Sequence, residues 1–220
     1  MGGTYSNVSV TASSGNCNGK TASCGGTLIV QSGVISGTPV TYEGETYNTV
    51  VIGTQTWMAR NLNYEASGSK CNNCDTYGRH YDWATAMNLP SSCNSSTCAS
   101  QIGTPHRGIC PSGWHIPSDA EWTTLTTFVG SSSGTKLKAN SPLWNSGKGT
   151  DDFGFAALPG GHGSSGGSSY DVGDFGYWWS ASENYANNAY YRSMYYYGGS
   201  VGRNYYNKSN YLFSVRCLQD

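Results

Sequence analysis

The stretch Cys110-Pro111-Ser112-Gly113-Trp114-His115-Ile116-Pro117-Ser118-Asp119-Ala120-Glu121-Trp122 holds the strongest local structural signal in the chain. Ser118 and Glu121 stand at capping-box spacing, in which side chains and amides at a helix N-terminus satisfy one another. Trp122, Leu125, Phe128 and Val129 then recur every three to four residues until Gly130, which predicts a helix that ends there. Working upstream, Asp82 to Leu89 has a capping Asp and helix formers and is stopped by Pro90, so a second, short helix is expected. Thr49 to Ile52 and Gln55 to Met58 flank Gly53 and read as a hairpin. Downstream, Pro159 to Ser168 is glycine-rich and without periodicity, which suggests a long surface loop. The closing Leu212 to Cys217 reads as a strand with Phe213, Val215 and Cys217 on one face.

Only 11% of the 220 residues are charged, and 12 Lys and Arg against 13 Asp and Glu leave a net charge of −1. A globular protein has about 25% charged residues. A polyanion-binding surface is therefore not expected, which argues against nucleic acid as a partner. The longest apolar runs, such as Leu28-Ile29-Val30, are far below the roughly 20 residues that span a bilayer, so no membrane insertion is expected. Gly, Ser, Thr, Asn and Tyr replace the missing charge, a composition suited to a secreted protein of loops and short strands. Met1-Gly2-Gly3-Thr4 has neither a basic nor an apolar leader pattern, and any export signal is expected to have been removed ahead of it. Residues 1–38 read as a linker or small β appendage, with the main domain over 39–220.

The eight cysteines suit disulfides. Short spacing favours Cys17–Cys24, Cys71–Cys74 and Cys93–Cys98 and leaves Cys110 with Cys217. The competing reading takes Cys71, Cys74, Cys93 and Cys98 as a four-cysteine zinc site. The four histidines, His80, His106, His115 and His162, are scattered and read as structural hydrogen-bonding residues. Calcium could find acids only at Asp151-Asp152 or between Asp171 and Asp174, where paired acids beside Gly more often form solvated turns. No other cofactor is expected.

Between Asn184 and Tyr211, 28 residues include nine Tyr and six Asn, so two residue types supply more than half of the segment. Ala189 to Tyr196 and Val201 to Tyr206 flank Tyr197-Gly198-Gly199-Ser200 as a second hairpin. Strand alternation lets only about half of these tyrosines point inward. Tyr gives large contact area at little entropic cost and Asn gives adaptable hydrogen bonds, the combination used by antibody paratopes. The alternative is an aromatic ladder that stabilises the sheet. On the recognition reading the ligand-binding tyrosines are Tyr185, Tyr190, Tyr196, Tyr205, Tyr206 and Tyr211. Asn187, Asn188, Asn204 and Asn210 supply hydrogen bonds, and Arg192 and Arg203 are the polar anchors.

Val51 to Tyr64, Tyr77 to Ala86, Cys110 to Trp122 and Phe213 to Cys217, in that order, resemble the Fibrobacter succinogenes major paralogous domain. Gly113-Trp114-His115-Ile116-Pro117-Ser118-x-x-Glu121-Trp122 is similar to the G-x-R-L-P-T-x-x-E-W signature of formylglycine-generating enzymes and of the variable proteins of diversity-generating retroelements. The resemblance implies an α+β, C-type lectin-like fold: a twisted antiparallel sheet, two helices, long glycine-rich loops and disulfide staples. It also implies that residues 184–211 look like a diversified cassette. A formylglycine-type oxidase needs two nearby reactive cysteines, and only Cys217 lies in the C-terminal region, so no enzymatic activity is expected. The expected function is a bacterial secreted or surface-displayed module that binds a protein or glycan. The alternatives are a structural domain of an adhesion protein and a divergent enzyme of the formylglycine-generating type.

Overall fold

The computed structural model of the chain describes residues 33–220. The expected Cys17–Cys24 bridge and most of the segment 1–38 lie outside the described residues. Residues 35–37 run beside the first long hairpin, with Val51 N–H donating to Ile35 O and Gly37 N–H donating to Thr49 O.

Two hairpins open the domain. β1 (Val40–Tyr42) and β2 (Glu45–Tyr47) pair around Glu43-Gly44, both at positive φ (48° and 79°), the turn handedness that matches strand twist. β3 (Thr49–Ile52) and β4 (Gln55–Met58) pair around Gly53 as the sequence predicts. Gly53 has φ 63°, and a Cβ there would meet the Phe128 ring at 2.9 Å, so both backbone and space demand glycine.

Two short helices follow, α1 (Cys74–Tyr77) and α2 (Trp83–Ala86). Asp82 caps α2 by accepting from Thr85 N–H at 2.9 Å, as expected. The helix nevertheless stops well before Pro90, because Asn88 turns left-handed at φ 52°. Two short 3-10 turns, Ser91–Asn94 and Ala99–Gln101, carry the chain round to β5 (Trp114–His115).

α3 (Asp119–Val129) has the reciprocal capping box: Ser118 Oγ accepts from Glu121 N–H at 3.2 Å and Glu121 Oε2 accepts from Ser118 N–H at 2.8 Å. Trp122, Leu125 and Val129 are buried, whereas Phe128 of the same repeat is 56% exposed and packs across the surface onto Phe153. α4 (Ser133–Leu137) completes the helices.

The glycine-rich stretch expected to be a plain loop instead forms β6 (His162–Ser164) and β7 (Ser169–Tyr170), because the turn at Ser165 to Ser168 folds it back on itself. β8 (Phe175–Tyr185), β9 (Asn188–Tyr195) and β10 (Gly202–Asn207) form the expected C-terminal hairpin and its neighbour. β11 (Tyr211–Leu212) returns to pair with β6, and β12 (Leu218–Gln219) inserts between β4 and β5. Among the described residues the strands make four small sheets rather than one, with every pairing between them antiparallel. The architecture is α+β, mostly strand, with one helix of 11 residues and three of four or five.

β8 separates two cores. Trp179 faces a cluster with Tyr81, Trp83 and Phe213, and its neighbour Trp178 faces the other, with Trp57, Trp122 and Phe155, as strand alternation requires. Each indole N–H finds an acceptor: Trp178 donates to Asn61 Oδ1 at 2.7 Å and Trp179 to Tyr81 O at 2.8 Å. The closing segment is not the single strand expected over Leu212 to Cys217: β11 ends at Leu212, Phe213 and Ser214 make single bridges to Tyr81 and Trp178, and residues 215–217 lie outside any strand. Phe213, Val215 and Cys217 nevertheless share one side, in the core with Trp179, and all of residues 212–218 are buried.

Cys71–Cys74, Cys93–Cys98 and Cys110–Cys217 are disulfides, which consumes the four thiolates that a zinc site would need. Disulfides persist in oxidising compartments, so the cross-links fit an extracellular protein. No helix among the described residues is long and apolar enough to cross a membrane.

His115 is held between two acids, with Nδ1 2.7 Å from Asp220 Oδ1 and Nε2 3.0 Å from Glu121 Oε1. Burial opposes its protonation, but the hydrogen bonds to Glu121 and Asp220 together win and raise its pKa above 6.5. For Glu121, burial is likewise outweighed by His115 and the Ser118 amide and hydroxyl, which lower it from 4.5 to about 2. A raised histidine stabilises fully below 6.5 and loses its contribution as pH rises through its folded value. A lowered carboxylate stabilises above 4.5 and loses its contribution as pH falls toward about 2. The melting-temperature difference between the wild type and Glu121→Gln is therefore expected to peak between pH 4.5 and 6.5 and to shrink on both sides. A pH-independent difference would mean that the contact is not ionic.

Candidate binding surface

The β9–β10 register puts Arg203 opposite Arg192 and Tyr205 opposite Tyr190 on one face, and Asn204 opposite Tyr191 and Tyr206 opposite Ala189 on the other. β10 is an edge strand, and its residues 202–206 are all exposed. The two faces have different fates because α3 covers only one of them.

On the α3 face, Arg192 is 2% exposed, so it is not the ligand anchor that the sequence suggested. Its guanidinium donates to Asp119 Oδ1 at 2.6 Å, Asp119 O at 2.8 Å and Thr123 Oγ1 at 3.0 Å, and the α3 N-terminus thus takes it out of solvent. Arg203 stays exposed but is also committed, donating from Nε and Nη2 to both Asp119 oxygens and lying 4.3 Å from the Tyr190 ring. The pair of arginines holds the Asp119 carboxyl below its ordinary range although burial pushes the other way. Beyond them Tyr185 is 65% and Tyr205 47% exposed, with ring centroids 6.1 Å apart. Asn187 is exposed at the β8–β9 turn and Asn188 is half-buried beside it.

The hairpin tip is a separate aromatic group. Tyr196 packs on the second core, and its carbonyl accepts from buried Lys138, whose Nζ also reaches Gly147, Tyr195 and Gly198 carbonyls within 3.2 Å. Tyr196 therefore does not join the other candidate tyrosines. Exposed Tyr197, not singled out in the sequence, meets it edge-to-face with ring centroids 4.6 Å apart.

The opposite face opens into a cavity of about 580 Å³ that brings Tyr206, Asn210 and Tyr211 together with residues from outside the Tyr/Asn segment. His162 from β6, Asp171 after β7, Tyr177 from β8 and Phe213 after β11 complete it. Sequence spacing missed these four because strand pairing, not proximity in the chain, assembles them. Tyr206 and Tyr211 hydroxyls lie 3.0 Å apart. Tyr177 donates to Asp171 Oδ2 at 2.9 Å, and His162 Nδ1 lies 3.4 Å from the same oxygen. Burial holds the His162 pKa below its ordinary value despite Asp171 beside it. Behind β6, His80 is fully buried and neither ring nitrogen has a partner among the described residues, contrary to the expectation of a hydrogen-bonding role. Burial, and after it His162, hold its pKa at about 4.

The calcium candidates are engaged in the protein: Asp151 accepts from Ala156 N–H, Asp174 from Asn145 and Asp171 from Tyr177. Among the described residues no group of three or more His, Cys, Asp or Glu is placed to hold a metal ion.

No curated protein and no solved structure matches the chain. The Fibrobacter succinogenes major domain model matches residues 50–219, so the chain belongs to that family.

Proposed function

We propose that the domain is a non-catalytic, extracellular binding module of C-type lectin-like fold that recognises a protein or glycan through its Tyr/Asn-rich C-terminal surface. The observation that carries this reading is the aromatic area left open on the C-terminal sheet: Tyr185 at the end of β8 and Tyr205 of β10 are 65% and 47% exposed with ring centroids 6.1 Å apart, and Tyr206 on the other face of β10 is 40% exposed. Large aromatic side chains left uncovered contribute little to folding and mark a surface built for contact. Exposed Asn187, Asn204 and Asn210 supply hydrogen bonding around it. The lectin-like fold is supported by the strand, loop and capped helix over Trp114 to Val129, and an experimental structure superposed on that fold tests it.

Substituting Tyr185 and Tyr205 together by serine is expected to change stability by no more than about 1 kcal/mol, since surface positions contribute about 0.5 kcal/mol each. Binding to whichever partner a glycan and protein array reveals should fall at least about tenfold. Unfolding of the variant, or unchanged binding, would sink the reading. Diversification of residues 184–211 is a separate part of the proposal, tested by the encoding DNA. A near-identical template repeat beside a reverse transcriptase supports it, and their absence removes it without touching the binding role.

A further inference from the structure

The cavity between β6, β8, β9 and β11 has a chemistry of its own. Phe213, 1% exposed, forms its floor. Around that floor stand Tyr177, Tyr191, Tyr211 and His162, with ring centroids 5.0, 4.9, 6.1 and 6.1 Å from it. Tyr177 stacks on Phe213 at 15°, whereas Tyr191 and Tyr211 meet it at 53° and 42° and lean around the open volume. Tyr206 and Tyr170, 40% and 50% exposed, extend the walls to the rim.

The charge of the lining has one sign. Among the described residues Asp171 is its only carboxylate, and no Lys or Arg lines it. His162 adds no positive charge near neutral pH, since burial lowers its pKa. Asp171 Oδ2 is occupied by Tyr177, while Oδ1 has no partner among the described residues. The hydroxyls of the lining are partly engaged, since Tyr206 and Tyr211 bond to each other and Ser164 Oγ accepts from Ser168 N–H, whereas aromatic rings make up most of the lining. A lining of π faces with one open carboxylate attracts a cation whose charge is spread over alkyl groups. Such a cation gains from the rings and gives up little hydration on entering.

We infer that this cavity binds an alkylated ammonium group, either free or borne on a larger partner. The inference goes beyond the binding-module reading, since the cavity opens on the face of β10 opposite Tyr205. In the bound state the cation sits among Tyr177, Tyr191, Tyr206 and Tyr211, with Asp171 as its counter-ion at the rim. The volume of about 580 Å³ exceeds what one trimethylammonium head fills, leaving room for the chain that carries it.

The test is titration calorimetry of the full chain with choline and with its tert-butyl analogue, in which carbon replaces the charged nitrogen at nearly constant shape. Choline is expected to bind at least about tenfold more tightly than the neutral analogue. Asp171→Asn should erase most of that difference while leaving the weak binding of the analogue unchanged. Should Asp171→Asn fail to fold, Tyr206→Leu at the exposed rim carries the test, with choline affinity expected to drop severalfold. A trimethyllysine peptide and its unmodified counterpart form the second arm. Preference for the methylated peptide over choline assigns the group to a protein partner, and the reverse to a small molecule. Equal binding of choline and the neutral analogue, or no choline binding at millimolar concentration, overturns the inference. Array binding that still depends on Tyr185 and Tyr205 in that case leaves the broader reading standing. Choline binding with no array partner would sink the broader reading alone.

Discussion

Replacing Asn61 by alanine is expected to lower the unfolding free energy by about 3–5 kcal/mol, because it strands a buried charge. Arg216 is 1% exposed, and among the described residues no carboxylate lies within ion-pair distance of it. Its hydrogen-bond acceptors are Asn61 Oδ1, which receives Nε at 3.1 Å and Nη2 at 2.7 Å, and the Phe155 carbonyl. Burial lowers its pKa to about 9, opposed through space by Asp151. The same Asn61 oxygen accepts from Trp178 Nε1, and its amide nitrogen donates to Tyr77 O at 2.8 Å, so one side chain ties β8 and the end of α1 to the segment before β12. Truncation would leave Nε and Nη2 of the guanidinium, an indole N–H and a carbonyl without partners at once, with only Nη1 still held by Phe155 O. In Arg216→Met the charge is gone, and adding Asn61→Ala to it should cost clearly less than Asn61→Ala alone in the wild type. Urea unfolding of the four proteins measures this coupling. A loss below about 1 kcal/mol for Asn61→Ala, the level of an ordinary substitution, would show that the charge is not held this way.

Replacing Cys110 and Cys217 together by serine is expected to cost nearly as much. The bridge spans a sequence separation of 107, and both sulfurs are fully buried beneath the first core. Constraining a loop of about 100 residues in the unfolded chain stabilises by about 4.7 kcal/mol in the chain-entropy treatment, against about 2 kcal/mol for the five-residue separation of Cys93–Cys98. For a domain of this size these losses amount to a melting point lower by about 9–19 °C for the long-range pair and by about 4–8 °C for the short one. Scanning calorimetry of the two double variants reads it directly. Equal drops would mean that native packing, rather than loop closure, sets the cost of each bridge.

What the sequence by itself determined about this protein is what short-range chemistry controls. The α3 capping box needs only two side chains three residues apart, the Gly53 hairpin only a residue that accepts positive φ, and Cys71–Cys74 and Cys93–Cys98 only neighbours within reach. Family membership was legible for a similar reason, since contiguous motifs carry it. Tertiary structure decided the rest. Arg192 and Arg203 sit eleven residues apart on one face of the same hairpin and both reach Asp119 on a helix more than 70 residues upstream, yet one is 2% exposed and the other open, because β9 lies between β8 and β10 while β10 is the edge strand. Strand alternation specifies which side chains share a face but not which face another element will cover. The closing segment breaks as a strand where Phe213 and Ser214 bridge to Tyr81 and Trp178, and the aromatic cavity exists only because β11 returns to β6. Those pairings join residues from 36 (Trp178 and Ser214) to 132 (Tyr81 and Phe213) positions apart, and no local propensity encodes a contact whose free energy comes from burying two distant surfaces at once.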